Sequence, residues 1–234
     1  MDTETRHALK SNSFAQATAS SVSWLEEHKS NVIRWTVTGV VVVVVVVGSL
    51  IGWSLRTAAA DTALGAAMDA YNAPLAEPGI PAESGTYTTA ADRAKAANKQ
   101  FSDVASNYGL LPQGNKAHYF AGITAEELGQ NGTAESELQK AAGAWDRNVA
   151  NLAKLALAGL YQKTSRDSQA IEIYNELVAK PSETVSAATA QLSLADLYAA
   201  EGKQDQARTL WAKVKDGDKE GAAGSIAAEK LGQQ

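Results

Sequence analysis

The sequence predicts an all-α protein in which a single N-terminal transmembrane helix precedes a solenoid of helical hairpins. Residues 35–55 contain no charged side chain, and as an α-helix they span roughly 30 Å, the thickness of a bilayer's hydrocarbon core. From residue 90 onward the chain is rich in alanine and its apolar residues recur at helical spacing. These apolar positions also repeat along the chain, which is typical of solenoid proteins.

The apolar run contains eight consecutive valines, Val40–Val47, a residue type that favours strands. A lone strand in lipid would leave its backbone N–H and C=O groups unpaired, at several kcal/mol each, so a helix is predicted. Trp35 and Trp53 are predicted to lie at the two membrane interfaces. Gly48 and Gly52 form a GxxxG pair that could let a second helix pack closely in the membrane.

Two other interpretations of this run stay open. It could be a buried strand of a soluble protein, although such strands rarely exceed about ten residues. It could also be a cleaved signal peptide, because the small residues 58–60 follow it. The run is too long for a signal peptide and 34 residues precede it, so we predict an uncleaved anchor.

The charged residues beside the run predict its orientation. Four bases precede it, and Arg56 stands alone after it until Arg93. The positive-inside rule therefore predicts a bacterial inner-membrane protein with a cytoplasmic N-terminus. The predicted parts are a cytoplasmic tail that is partly an amphipathic helix (1–34), the membrane helix (35–55) and a periplasmic domain (56–234).

Composition excludes several functions. The chain has a net charge of −5, and no basic patch for nucleic acid is evident. Cysteine is absent, so disulfides and thiolate metal sites are excluded. No catalytic motif is found, and His118 has no partner at a metal-binding spacing. Residues 216–221 resemble half a calcium loop, but Ala227 stands where the bidentate Glu should be. We therefore expect no catalytic residues, metal, cofactor or small-molecule substrate.

The internal repeat has a period of 36 or 37 residues. Five residues, Leu157, Ala158, Tyr161, Ala170 and Tyr174, reappear 37 positions later as Leu194, Ala195, Tyr198, Ala207 and Trp211. Related residues precede them: Gly122, Ala134 and Leu138, and before those Ala97 and Phe101. This pattern resembles the tetratricopeptide repeat (TPR) family, which has a small residue and a tyrosine in helix A and Ala-x3-aromatic in helix B. It departs from that family in lacking a tryptophan near the start of helix A.

The resemblance implies helical hairpins whose small residues allow helices A and B to approach closely. A generic alanine-rich bundle without this order is the alternative. Residues 57–72 are predicted as the first helix A, its partner as beginning at about 90, and 73–89 as a long loop. A capping helix is predicted at 221–232. The turns from A to B are predicted at Asn131-Gly132, Arg166-Asp167 and Gly202-Lys203.

TPR proteins bind partners mainly through the face built from their A helices. The resemblance places eight residues on this partner-binding groove: Lys116, Tyr119, Ile123, Glu126, Leu155, Gln162, Leu192 and Asp196. The paired Lys and Asn residues that clamp a peptide carboxylate in some family members are missing, since Leu155, Gly159, Leu192 and Asp196 hold their places. A groove of this kind suits an apolar peptide or helix. The alternative is that these residues only pack against neighbouring helices.

The order of the whole chain resembles the bacterial family of ancillary Sec-translocon subunits. The stretch WLEEHKSNVIRWTVTG…GSLIGW carries the likeness through Trp24, Gly39, Gly52 and Trp53. The resemblance implies a non-enzymatic scaffold whose protein partners are Sec translocon subunits or envelope chaperones. A structural adaptor of another envelope complex, in cell-division coordination or outer-membrane protein assembly, and an enzyme are the other classes left open.

Overall fold

The computed structural model describes residues 29–76 and 85–232, and this part of the chain is all-α, as predicted. The chain divides into two compact units, Met1–Arg56 and Thr57–Gln234. The helices of the described part are α1 (Lys29–Asn72), α2 (Ala90–Tyr108), α3 (Pro112–Glu127), α4 (Asn131–Ala142), α5 (Arg147–Lys163), α6 (Asp167–Ala179), α7 (Ala187–Ala200), α8 (Gln204–Gly217) and α9 (Ala222–Gly232).

The first unit contains the apolar part of α1. The helix is long and apolar enough to cross a membrane, and its apolar stretch is not buried. The valines of Val40–Val47 are therefore helical and exposed, in agreement with the expectation that they do not form a strand. The predicted amphipathic helix and Trp24 lie within residues 1–28, outside the described residues.

The second unit begins within α1, whose residues 57–72 pack against α2 and α3. Ala67, Ala97 and Phe101 are completely buried in this cluster. Between α1 and α2, the backbone N–H of Ala76 donates to the carbonyl of Tyr87 at 2.8 Å. The side chain of Thr89 then caps α2, accepting from the N–H of Asp92 at 3.0 Å.

The remaining helices form A–B hairpins in chain order: α3 with α4, α5 with α6, and α7 with α8. Each helix from α2 to α9 packs on the next, and α3 also contacts α5 as α7 contacts α9. The alanines that the repeat places on the B helices, Ala134, Ala170 and Ala207, have no exposed surface. A β-carbon added at Gly122 of α3 would lie 2.6 Å from Cγ of Leu138 in α4, so the hairpin closes only around a very small residue.

The three A-to-B turns share one backbone conformation. Gly129, Ser165 and Gly202 have left-handed φ values of 72°, 59° and 76°, and they are spaced at the period of the repeat. In each turn the next residue's N–H donates to a carbonyl five residues earlier, as from Arg166 to Tyr161 at 2.8 Å. In addition, the N–H of each left-handed residue donates to the carbonyl three residues earlier. The two bonds together form the Schellman motif that ends many helices.

The predicted turn position was correct at Gly202-Lys203 and wrong at Asn131-Gly132. Asn131 and Gly132 form the first turn of α4, and the chain reverses two residues earlier, at Gly129. Asn-Gly is a common turn pair, but here the Schellman motif at Gly129 satisfies the last carbonyls of α3 and so decides where the helix ends.

The first two A helices, α1 and α3, run side by side in the same direction. At their starts, Nε2 of Gln113 in α3 donates to Oδ1 of Asp61 in α1 at 2.6 Å. At their ends, the Tyr71 hydroxyl donates to Oε1 of Glu127 at 2.9 Å. The second unit therefore has two edges. We call one the loop edge, formed by loops 109–111, 143–146, 180–186 and 218–221, and the other the turn edge, formed by turns 128–130, 164–166 and 201–203.

Candidate protein-binding surface

Three of the predicted groove residues pack against the same hydrophobic cluster. Tyr119 and Ile123 of α3 and Leu155 of α5 are partly exposed and pack against the central hydrophobic cluster. The Tyr119 ring meets the ring of Phe120 edge-on, with centroids 5.1 Å apart. Burial raises the pKa of the Tyr119 hydroxyl above its ordinary value. These three side chains are thus partly exposed and belong to the outer layer of one packed core.

The predicted polar groove residues already have partners within the chain. Glu126 forms an ion pair with Lys163. Gln162 accepts a hydrogen bond from the Tyr174 hydroxyl at 2.8 Å. These contacts hold Glu126 and Gln162 in defined positions at the end of α3 and in α5. A partner that uses their polar groups must share or replace those bonds.

The last two predicted groove residues, Leu192 and Asp196, belong to α7 and lie at a different cluster. Leu192 packs with the C-terminal group of apolar residues around Trp211. Oδ1 of Asp196 accepts from the indole Nε1 of Trp211 at 3.1 Å and lies 3.3 Å from Nζ of Lys230 in α9. The predicted groove residues therefore divide between two hydrophobic clusters, the central one for Tyr119, Ile123 and Leu155 and the C-terminal one for Leu192.

Sequence reasoning did not find the polar network at the turn edge. The Arg166 guanidinium donates to both carboxylate oxygens of Glu135, at 3.0 and 2.8 Å, and its carbon lies 4.2 Å from the centre of the Tyr161 ring. The Tyr161 hydroxyl donates to the same carboxylate at 3.1 Å. Hydrogen bonds from Arg166 hold the pKa of Glu135 below its usual value. The repeat offered one sequence signal for this network: a tyrosine and a cation, Tyr198 and Lys203, recur one period after Tyr161 and Arg166. Nζ of Lys203 lies 5.4 Å from the centre of the Tyr198 ring.

His118 also has a partner that its sequence neighbours do not reveal. Its Nδ1 lies 2.6 Å from Oε2 of Glu137 on α4, and both side chains are largely buried. Nζ of Lys140 reaches the other oxygen of Glu137 at 2.7 Å. The hydrogen bond from His118 is the main reason that the pKa of Glu137 lies below its usual value. The group joins α3 to α4, so it stabilises the hairpin, and the described residues contain no cluster that could hold a metal ion.

The predicted membrane residues all lie on the exposed helix of the first unit. Trp35 and Trp53 are exposed near the two ends of the uncharged stretch. At Gly48 and Gly52 an added β-carbon would meet no atom within 4 Å, so the helix is open at these two positions. These positions therefore stay available for contact with lipid or with another helix.

The repeat geometry, the spacing of the left-handed turns and the buried small residues agree with one known family. A family model described as the tetratricopeptide repeat-like domain matches residues 29–233. The chain belongs to the TPR-like family. No curated protein matches the sequence. The match includes residues 35–55, so the apolar helix lies within the region that the family shares. Domains of this kind typically act as non-catalytic scaffolds for protein–protein interaction.

Proposed function

We propose that this TPR-like protein is a non-enzymatic, membrane-anchored scaffold that binds protein partners in the bacterial envelope. Its role would be to assist protein translocation or the handover of clients to periplasmic chaperones. One observation carries the proposal: an exposed, uncharged helix at the N-terminal end of a TPR-like array. A tether of this length and composition supports placement of the array at a membrane.

The partner is proposed to bind across α3 and α5. Tyr119, Ile123 and Leu155 present partly exposed apolar surface there, backed by a rigid core. An amphipathic helix or an extended apolar peptide fits a row of such side chains on adjacent helices. Glu126 and Lys163, which pair beside this row, could contact a peptide's polar groups. The Sec translocon subunits and envelope chaperones implied by the sequence resemblance are the proposed partners.

Cross-linking tests this proposal better than truncation of the groove side chains. Tyr119 and Leu155 pack against the core, so serine at either position would also destabilise the fold. A photoreactive amino acid at Tyr119, in the full chain expressed in cells, should cross-link a partner on irradiation. The control is a photoreactive residue at Glu172, which is exposed on the B helix α6.

Cross-links at Tyr119 to Sec translocon subunits or envelope chaperones, absent at Glu172, support the proposed role. Cross-links to division or outer-membrane assembly proteins support instead a structural adaptor of another envelope complex. If neither Tyr119 nor other exposed A-helix positions yield a specific cross-link, the A-helix face is not the binding surface.

A further inference from the structure

The two most exposed large apolar side chains of the second unit both lie in loops of the loop edge. Leu110 in loop 109–111 is 94% exposed and Trp145 in loop 143–146 is 75% exposed. Among the described residues of this unit, the next are Leu75 at 44% and Ile226 at 42%. Leu110 and Trp145 lie in successive loops of the same edge. Exposed apolar side chains grouped in this way usually mark a surface that contacts a protein or a membrane.

The loop edge is also the edge at which the chain enters the second unit. Gln113, three residues after Leu110, donates to Asp61 at 2.6 Å, and Asp61 is only five residues after Arg56. The Leu110 loop therefore lies beside the residues that directly follow the candidate span. The turn edge lies at the opposite ends of these helices and is dominated by charged pairs such as Glu135 with Arg166.

The surroundings of Trp145 combine an aromatic ring with basic side chains. A cavity of about 250 Å³ is lined by Trp145, Arg147, Asn151 and Lys180, among others. Lys154 at this cavity is neutralised by Glu176 at 2.7 Å, whereas Arg147 and Lys180 are exposed. Tryptophan with nearby Arg and Lys is the combination that lies at the headgroup level of a bilayer, where the ring is buried and the charges meet phosphate.

Two acidic side chains of the loop edge, Asp146 and Glu183, contact Asn148. Asp146 caps α5 by accepting from the N–H of Asn148 at 2.9 Å. Glu183 contacts the same residue, with Oε2 3.4 Å from the Asn148 amide nitrogen. The four loops of the loop edge contain four acids, Asp146, Glu183, Asp218 and Glu220, and two bases, Lys180 and Lys219. The apolar side chains rather than net charge must therefore supply the attraction to a surface.

We propose that the loop edge is a second membrane contact, at which Leu110 and Trp145 enter the headgroup region of the bilayer that holds residues 35–55. The occupant is the lipid surface itself. This inference rests on the membrane anchoring proposed above and adds to it: the TPR-like array is held with one edge on the membrane, so the turn edge points away from it.

Spin labels can test this contact in the full chain, because the sequence contains no cysteine that would compete for the label. Single variants Leu110→Cys and Trp145→Cys would be labelled and reconstituted into nanodiscs of phosphatidylethanolamine and phosphatidylglycerol. Ser168→Cys, exposed on α6 next to the turn edge, is the aqueous control, and Val44→Cys reports the span. Both test positions are exposed, so their substitution leaves the core intact.

The labels at 110 and 145 are expected to collide less often with an aqueous nickel chelate, and more often with oxygen, than the label at Ser168→Cys in the same nanodiscs. If both labels remain as accessible to the chelate as the label at 168 while the label at 44 is shielded, the loop-edge contact is wrong and the anchor stands. If the label at 44 is also accessible to the chelate, the anchoring proposal fails together with this one.

Discussion

Ser165 is the one described non-glycine residue with a left-handed backbone, and its neighbours in the repeat, Gly129 and Gly202, show what that position requires. The left-handed conformation costs an L-residue with a side chain about 1–2 kcal/mol, and part of this is offset by the extra freedom of glycine in the unfolded chain. Ser165→Gly should therefore raise the midpoint of thermal unfolding, with a gain of up to about 1 kcal/mol.

The matched variant is Gly202→Ala, which puts a side chain at the equivalent left-handed position, where φ is 76°. It should lower stability by about 1–2 kcal/mol. Circular dichroism melts of both variants beside the parent protein measure the two effects. A decrease in midpoint for Ser165→Gly would show that the Ser165 side chain contributes more than its backbone conformation costs.

Glu137 should make stability depend on acid pH. Its pKa is lowered in the folded protein, mainly by the hydrogen bond from His118 and further by Lys140. A lowered pKa in the folded state means that this carboxylate stabilises the fold above the ordinary carboxyl pKa of about 4.3, and that this stabilisation is lost as pH falls through the lower, folded value. The Glu137→Gln variant should therefore be less stable than the parent at neutral pH, and the difference should shrink as the pH drops below about 4.

Thermal melts of parent and Glu137→Gln across this pH range measure the prediction. Glu183→Gln is the control, because Glu183 is exposed and its carboxylate makes only a long contact with Asn148. A constant difference between the Glu137→Gln variant and the parent at every pH would show that the pairing with His118 does not depend on ionisation of Glu137.

At the scale of the helices, the hairpins depend on the small residues where A and B cross. Ala170 and Ala207 have no exposed surface, on α6 and α8 respectively. Replacing either with leucine should destabilise the protein by about 1–3 kcal/mol, because the larger side chain cannot fit between the paired helices without moving them apart.

Ala200 is the control for these two variants. It is exposed at the last position of α7, so Ala200→Leu should change stability by no more than about 0.5 kcal/mol. Chemical denaturation followed by circular dichroism reports all three. Equal stability of the three leucine variants and the parent would mean that Ala170 and Ala207 do not set the spacing of the hairpins.

The helices could be predicted well because each repeat places the same classes of residue at equivalent positions. A buried alanine one period after another, as with Ala170 and Ala207, reflects the same close approach of two helices. The position of the first turn was missed for a different reason. Gly129 and Asn131-Gly132 are all good turn residues, and only the hydrogen bonds to the last carbonyls of α3 distinguish them.

The candidate site was less predictable from the sequence than the fold. Its residues could be placed on the A helices by the resemblance, but their partners could not. Asp196 accepts a bond from Trp211, fifteen positions away, and Gln162 accepts one from Tyr174. Such bonds depend on the crossing of A and B helices and on side-chain rotamers, neither of which leaves a pattern in the sequence. Partner binding by these residues therefore stays a prediction.

At the scale of the whole molecule, the predicted topology can be tested with the protein in its membrane. Ser11 lies in the predicted cytoplasmic tail, outside the described residues, and Ser225 is exposed on α9. With cysteine introduced at one position at a time, a membrane-impermeant maleimide should label Ser225→Cys and not Ser11→Cys in intact cells whose outer membrane has been permeabilised. Lysed cells, in which both positions should react, provide the control. Labelling of Ser11→Cys alone in intact cells would reverse the orientation.

The regular spacing of the left-handed turns has a consequence for how the gene could change length. Removing residues 166–202, one full period, would join Ser165 directly to Lys203 and so keep the same turn sequence of a left-handed residue followed by a cation. Lys203 would then face the Tyr161 ring as Arg166 does now. The array is therefore divisible at these turns: a whole hairpin can be lost or duplicated in one event while every remaining helix keeps a neighbour of the same kind. The number of hairpins, and with it the length of the array, can therefore vary without a new fold being required.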